Sequence, residues 1–331
     1  MSKKDLKIAK ENKNDEFYTQ YEDIKKEIDL YYEYNNEVFY NKKVFCPCDD
    51  VNYSNFAKYF IDNFDKFGLQ KLVCTSYIKE NSVYNKGKVF ILEKDFKSQQ
   101  KIEHEEYLNG DGDFRSEEIK RIRDEMDIIV TNPPFSLFRD FFNWIMETKK
   151  KFLIIGNINC ITYKEIFKEI QNNEIWLGTG LGRWISGFIV PKDYELYGTE
   201  VKVNENGQKI VATNSCLWLT NLEHGKRHSF IDLLSMKDNL KYNKTLINKL
   251  KKTYNCETYP KYDNYDAIEI PFTNAIPKDY KGVMGVPITF LDKYNPEQFE
   301  IIKFRKGNDE KDLCINGKSV YFRILIKIKN T

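Results

Sequence analysis

Asn132, Pro133, Pro134 and Phe135 follow directly on the run Asp127-Ile128-Ile129-Val130-Thr131. A short apolar, β-branched run of this kind reads as a buried strand. The tetrapeptide then reads as a stiff polar loop carried to the edge of a sheet. Each proline fixes its own φ and removes a backbone donor. Each also pushes the residue before it out of the α region. A loop held in this way keeps carbonyl oxygens facing outward without partners. With the Asn132 amide oxygen added, two acceptors converge on one amino group, and Phe135 lays a flat face beside them. Such a set suits an exocyclic amine on a planar base. The plainer reading of the same string is a Pro-Pro turn that closes a core strand.

The elements that must position this loop can be read on either side of it. Residues 17–34 carry Ile24, Ile28 and Tyr31 at helical spacing, which predicts a helix there. Val44-Phe45-Cys46-Pro47-Cys48 reads as a short buried strand ending in Asp49-Asp50. Ser54 is placed to cap a helix through Phe56, Tyr59, Phe60 and Phe64, which Gly68 stops. Lys71–Thr75 is the next strand, and Val89–Leu92 another, in a hairpin. A turn at Gly110–Asp113 leads to a helix from Ser116 to about Met126. After the diproline loop come a helix over 136–148, a buried strand over 151–156 and a helix over 163–170. Strand and helix thus alternate over residues 43–170. That pattern predicts a mostly parallel sheet with helices on both faces, and such sheets bind ligands at the carboxyl ends of their strands. Beyond residue 174, Ile175-Trp176-Leu177, Phe188-Ile189-Val190 and Leu217-Trp218-Leu219 read as strands, with an antiparallel pair closing the sheet. An alternating strand covers Val320–Ile326. A boundary is expected near residue 225, giving a catalytic domain over 1–225 and a second region over 226–331.

Bulk properties narrow the class. The chain has 331 residues, 41% of them hydrophobic and 31% charged, with a mean hydropathy of -0.61. It reads as soluble, without a secretion signal and without an apolar stretch near the roughly 20 residues needed to cross a bilayer. Among seven cysteines only Cys46 and Cys48 lie close together, and the three histidines complete no metal-ligand pattern. The cysteines read as reduced, with a zinc site the weaker alternative. Net charge is +2, which decides nothing about nucleic acid. Residues 237–252 hold Lys237, Lys241, Lys244, Lys249, Lys251 and Lys252 against Asp238 alone. That run fits a phosphate backbone or a solvated helix face. The glycine fingerprint of dinucleotide enzymes is absent after the first strand, where Cys48-Asp49-Asp50 stands instead. A nicotinamide enzyme is therefore disfavoured.

Several segments together resemble the EcoRI-type adenine-specific DNA methyltransferases of restriction–modification systems. They are Asp15–Gln20, Cys48–Asp50, Gly112–Glu117, Thr131–Arg139, Phe152–Asn157, Thr162–Glu165 and Gly282–Asp292. The resemblance spans nearly the whole chain. It implies an α/β fold with a Rossmann-like S-adenosylmethionine-dependent methyltransferase sheet, helices on both its faces and a smaller C-terminal target-recognition region. It implies S-adenosylmethionine as cofactor and no metal. Phe17, Tyr18 and Thr19 then correspond to the segment that closes over the methionine end of the cofactor. Cys48, Asp49 and Asp50 fill the first-strand loop, where an acid can hold the ammonium group; compensation of a helix N-terminus is the alternative for the two acids. Asp113 and Phe114 correspond to the pair that meets the cofactor's adenine, or else are a turn residue and a core ring. Relatives place an acid for the ribose after the second strand, and Cys74-Thr75-Ser76 offers none.

The catalytic residues implied are Asn132, Pro133, Pro134 and Phe135. Hydrogen bonds from adenine N6 to the Asn132 side-chain oxygen and the Pro133 carbonyl favour a pyramidal nitrogen aimed at the sulfonium methyl. A duplex base reaches such a site only by rotating out of the stack. Phe135 is the candidate stacking ring, with Trp184 or Phe188 for the other face unless those two are core packing. The expected partner is duplex DNA at a specific short site. A cognate endonuclease encoded nearby would form no stable complex with the protein, and no membrane is involved. The expected location is the bacterial cytoplasm, on the nucleoid through DNA. An RNA-adenine or protein-glutamine methyltransferase is the alternative substrate class. The intact Asn-Pro-Pro-Phe loop argues against a non-catalytic DNA-binding protein on the same scaffold.

Overall fold

The structure is a computed structural model. It describes residues 17–78, 86–95, 98, 100–180, 185–190, 201–204, 207–212 and 215–329. Asp15, Glu16 and Trp184, singled out in the sequence, lie outside the described residues. The chain divides into two compact units. One takes the described residues up to Ile161 together with Ile175–His224, and the other takes Thr162–Glu174 with the described residues from Gly225 onward.

The first unit begins with β1 (Tyr18–Thr19), α1 (Tyr21–Tyr34), β2 (Lys43–Cys46), α2 (Asn55–Asp62), β3 (Lys71–Thr75), β4 (Lys88–Lys94) and β5 (Lys101–Tyr107). It continues with α3 (Glu117–Glu125), β6 (Ile128–Thr131), α4 (Phe138–Met146) and β7 (Lys151–Asn157). It ends with β8 (Trp176–Leu177), β9 (Phe188–Ile189), β10 (Val201–Val203), β11 (Lys209–Val211) and β12 (Cys216–Thr220). The large sheet has eight strands in the order β5-β4-β3-β2-β6-β7-β12-β8. Its centre, β3-β2-β6-β7, is parallel. Its flanks are antiparallel: β4 and β5 on one side, β12 and β8 on the other. The expected mostly parallel sheet is thus a mixed one, parallel only where strands are buried on both faces. All of β6 is buried. A second, four-stranded sheet runs β1-β9-β11-β10.

Local chemistry sets the element ends. The Ser54 hydroxyl oxygen accepts from the amides of Phe56 and Ala57 at the start of α2, and Ser116 does the same for Ile119 at α3. The helical stretch that begins at α2 ends at Gly68, at φ 62°. One expectation is corrected, and one strand was not foreseen. Residues 17–34 are not one helix, because Tyr18 and Thr19 pair antiparallel with Ile189 and Phe188 and the helix starts at Tyr21. Strand β5 has no signal in the sequence, because every one of its residues is exposed. Its lysine and glutamates sit on an open edge, where charge discourages pairing with another chain.

The second unit holds α5 (Lys164–Gln171), α6 (Met236–Tyr242), α7 (Lys244–Lys249), β13 (Ala267–Glu269), β14 (Val283–Pro287), β15 (Phe299–Phe304), β16 (Cys314–Ile315), β17 (Lys318–Ser319) and β18 (Arg323–Ile328). Its sheet runs β13-β14-β18-β15. Phe167 of α5 stacks on Phe304 of β15 with ring centroids 4.5 Å apart. Glu269, fully buried, accepts from both Arg323 Nε and Nη2 and from the Tyr254 and Tyr262 hydroxyls.

A comparable buried acid organises the first unit. Glu27 has no exposed surface. It accepts from the Thr179 amide and hydroxyl, each at 2.7 Å, and from the Tyr31 hydroxyl at 3.0 Å. A buried donor deprived of its acceptor carries the full desolvation cost. Glu27→Ala is therefore expected to lower stability by about 3 kcal/mol. Urea unfolding would show this as a lower midpoint at an unchanged slope; an unaltered midpoint would remove Glu27 from the framework.

Candidate active site

In the large sheet β2 lies between β3 on one side and β6 on the other. The chain leaves β2 in one direction and returns on its opposite side, so ligands are expected at the carboxyl ends of these strands. A cavity of 490 Å³ opens there, within the usual range for small-molecule sites of about 300–1,000 Å³. Five stretches of chain line it. They are Phe17–Thr19, the loop after β2 from Cys48 to Phe56, Ser76–Ile78 after β3, Gly112–Arg115 before α3, and the loop after β6 with Asn132, Pro134, Ser136 and Leu137.

Ten of the twelve residues singled out from the sequence meet in this wall: Phe17, Tyr18, Thr19, Cys48, Asp49, Asp50, Asp113, Phe114, Asn132 and Pro134. Pro133 is buried, and its side chain is not part of the lining. Phe135 packs instead with Phe17 and Phe188, ring centroids 6.0 and 5.8 Å away, and those two rings lie 5.9 Å from each other. Sequence reasoning missed Tyr53, Ser76, Tyr77 and Arg115. Tyr53 and Tyr77 are 70% and 48% exposed. A lone surface tyrosine carries no periodic signal, whereas Arg115 was within reach as the neighbour of Asp113-Phe114.

Asn132 has a defined orientation. Its amide nitrogen donates to the Phe17 carbonyl at 2.7 Å. A carbonyl has no proton to donate, so the amide nitrogen faces it and Oδ1 is turned the other way. That oxygen is buried and has no hydrogen-bond partner among the described residues. Buried polar atoms nearly always have one, and this one sits on a residue that lines a cavity. The Pro134 carbonyl is taken by the Leu137 amide at 3.0 Å, which fixes the loop as it enters a short 3-10 turn over Phe135–Leu137.

The first-strand loop turns sharply without glycine. Cys48 stands at φ 64°, in the left-handed region that glycine adopts most easily, and burial pushes its thiol up. Asp49 is buried, and both its oxygens are engaged. Oδ1 accepts from the Ser54 hydroxyl at 2.5 Å, and Oδ2 lies 2.6 Å from the Thr131 hydroxyl. Burial raises its carboxyl to about 7, against the opposing pull of those two hydroxyls. Asp50 uses Oδ1 for the amide and side chain of Asn52, at 2.8 and 3.0 Å. Asp113 is clamped by Arg115, whose Nη2 lies 2.6 Å from Oδ2, and the hydrogen bonds from Arg115 hold its carboxyl below the usual range. Phe114 is buried edge-on against Phe141 and Trp144, with the Arg115 guanidinium 5.6 Å above its ring.

Comparison with known proteins first gives the class: the chain is a methyltransferase. Its sequence matches the family model described as "Adenine-specific methyltransferase EcoRI" over residues 5–329, and it belongs to that family of adenine-specific methyltransferases. It is 50% identical to the type II methyltransferase M.EcoRI of Escherichia coli, over 98% of this chain and 96% of that protein. It is 34% identical to the type II methyltransferase M.MgeORF184P of Mycoplasma genitalium, over 96% of this chain and 97% of that protein. It is 35% identical to M.MpnI of Mycoplasma pneumoniae, over 89% of this chain and 83% of that protein. No solved structure gives a significant match.

One glycine in the wall is demanded by backbone geometry. Gly112 stands at φ 86°, and a Cβ there would fall 2.1 Å from the Ser76 carbonyl oxygen. Gly112→Ala is expected to cost about 2 kcal/mol or more. Gly110→Ala, whose new methyl would meet only Glu118 Oε2 at 3.8 Å, serves as the control. Thermal unfolding of the two variants would separate them, and equal melting temperatures would refute the steric account.

Proposed function

We propose that this methyltransferase transfers a methyl group from S-adenosylmethionine to N6 of an adenine in duplex DNA, as the modification half of a restriction–modification pair. The observation that carries the proposal is the buried, unpartnered Oδ1 of Asn132 in the cavity wall. An acceptor held bare in this way suits a donor that arrives with the substrate. The eight-stranded sheet is proposed as a Rossmann-like methyltransferase sheet with helices on both faces.

The lining residues fit S-adenosylmethionine. Asp50, with Oδ1 engaged by Asn52, would hold the ammonium group, and Phe17–Thr19 would close over the methionine end. Asp113 and Phe114 would meet the adenine, and Ser76 stands after β3 where the ribose acid is missing. When bound, the cofactor supplies a methyl group activated by the positive sulfur to which it is attached.

The rest of the chemistry belongs to this chain. Asn132 Oδ1 accepts one hydrogen of the target amine, and the Pro133 carbonyl, which has no hydrogen-bond partner among the described residues, accepts the other. An aromatic amine is a poor nucleophile because its lone pair is delocalised into the ring. Two acceptors below the ring plane favour a pyramidal nitrogen and release that pair. The gain is one of positioning and preorganised dipoles. The base is presented after leaving the duplex stack, at a cost of a few kcal/mol. Phe135, partly buried between Phe17 and Phe188, is the ring proposed to meet it.

The second unit is proposed as the target-recognition region. Lys237, Lys241, Lys244, Lys251 and Lys252 are all exposed, free to lie along phosphates. Among the described residues no helix is long and apolar enough to cross a membrane. We assign the protein to the bacterial cytoplasm, on nucleoid DNA. A cognate endonuclease would read the same site without forming a stable complex.

Asn132→Ala is expected to lower kcat by about 100-fold or more, with folding intact by circular dichroism. The assay is transfer of labelled methyl groups to duplex DNA, with RNA and protein as competing acceptors. Preference for RNA or a glutamine side chain would reassign the substrate, and unchanged turnover would end the proposed role of Asn132.

A further inference from the structure

The Asp49 carboxyl, the Thr131 hydroxyl and the Pro47 carbonyl form a line of three oxygens. The two gaps are both 2.6 Å. A hydroxyl has one proton to donate, and a backbone carbonyl has none. With Asp49 as a carboxylate, one gap would hold two oxygens face to face with no hydrogen between them. With a proton on Asp49 Oδ2, both gaps close: Asp49 donates to Thr131 and Thr131 donates to Pro47. The other carboxyl oxygen accepts from Ser54 at 2.5 Å, and the Ser54 oxygen itself accepts from the Phe56 and Ala57 amides.

The surroundings favour the same state. Asp49 is only 6% exposed. The titratable groups that face it are the thiols of Cys46 and Cys48, and Asp49 raises the pKa of both. The Cys74 thiol lies in hydrogen-bonding contact with that of Cys46. Asp113, the nearby acid felt at Cys48, is neutralised by Arg115. Among the described residues no cation contributes to the state of Asp49.

The position of this line gives it a task. The β2–β6 ladder pairs Val44 with Ile128 and Phe45 with Ile129. Past that point the first-strand loop and the Asn132 loop separate around the cavity. Thr131 spans the opening to Pro47 and Asp49, one peptide unit before Asn132. We propose that Asp49 works as a neutral acid and that it and Thr131 are positioning residues, a proton-bridged strap that sets the loop after β2 against Asn132. Asp49 is then no ligand for the cofactor's ammonium group, and Asp50 takes that role. The inference rests on the function proposed for the Asn132 loop and deepens it. A displacement of about 1 Å at such a loop costs on the order of 100-fold in rate.

The test has parts that do not need activity. A carboxyl favoured in its neutral form stabilises the fold below the unfolded-state pKa, and this contribution is lost as pH rises through its folded-state value. Wild-type stability should therefore fall between about pH 4 and pH 7, and Asp49→Asn, which places a fixed donor where the acid proton sits, should lack that component. A carboxyl carbon-13 titration of the wild-type protein should place the Asp49 midpoint near 7, which covers the case in which the variant does not fold. Thr131→Val should lower kcat by about tenfold or more with KM for the cofactor nearly unchanged, and Thr131→Ser should restore most of the loss. A Thr131 hydroxyl of purely structural value would lower the melting temperature without splitting kcat from KM.

The strap is overturned by an Asp49 midpoint near 4, by parallel unfolding profiles for the wild type and Asp49→Asn, or by wild-type kcat in Thr131→Val. A rise of about tenfold or more in the Kd of S-adenosylhomocysteine for Asp49→Asn, with the pH slope retained, would equally overturn it, by showing a charged carboxylate on the ammonium. Absence of wild-type methyl transfer to DNA would instead remove the proposed function, and the titration and unfolding results would still decide the state of Asp49.

Discussion

The hydrogen bond from the Asn132 amide to the Phe17 carbonyl, at 2.7 Å, fixes which way the Asn132 oxygen points. An asparagine in a loop can otherwise flip at little cost, exchanging an acceptor for a donor. Here the flip would set two carbonyl oxygens against each other. The orientation therefore depends on where the Phe17 peptide sits, and β1 decides that by pairing with β9. The rings of Phe17, Phe135 and Phe188 close on one another around the same junction. Three stretches of chain, remote in sequence, thus fix one amide.

Around that amide the polar groups divide into saturated and open. Thr131, Asp49 and Ser54 use one another and the nearby backbone, while Asn132 Oδ1 is left bare. An unpartnered buried acceptor costs about 1–3 kcal/mol. The fold tolerates that cost because the saturated neighbours leave the loop no other arrangement. An open acceptor on a loose loop would find water or a backbone amide. On a loop held by two prolines, the Leu137 amide and the Thr131 hydroxyl, it stays open for whatever enters the cavity.

Much of this was legible in the sequence. The parallel centre of the sheet could be read because β2, β3, β6 and β7 are apolar runs separated by capped helices. The carboxyl-end rule then placed Cys48–Asp50 and the Asn132 loop on one rim, and the family resemblance added Asp113-Phe114 to them. What could not be read lacked periodicity or local cause. Strand β5 is charged and wholly exposed, so no alternation marks it. The strand character of Tyr18-Thr19 comes from Phe188 and Ile189, far along the chain, and helical spacing just downstream concealed it. Individual partners were also beyond reach: the family resemblance at 48–50 implied an acid for an ammonium group, but only packing shows that Asp49 has both oxygens engaged and that Asp50 has one oxygen free of Asn52.

The loop after β2 shows how far a motif can be trusted as a stand-in for geometry. Glycines in such loops serve a backbone that must turn left-handed and approach a ligand closely. This chain has no glycine there, yet Cys48 makes the left-handed turn at φ 64°, at a cost of roughly 1–2 kcal/mol for a residue with a Cβ. The Asp49 amide bonds the Thr75 carbonyl at 2.7 Å and holds the turn against β3. Glycine is kept instead at Gly112, where any Cβ would strike the Ser76 carbonyl. The requirement is thus on backbone shape, and residue type follows only where no side chain fits. Steric necessity, not the usual glycine pattern, decides which position must stay bare.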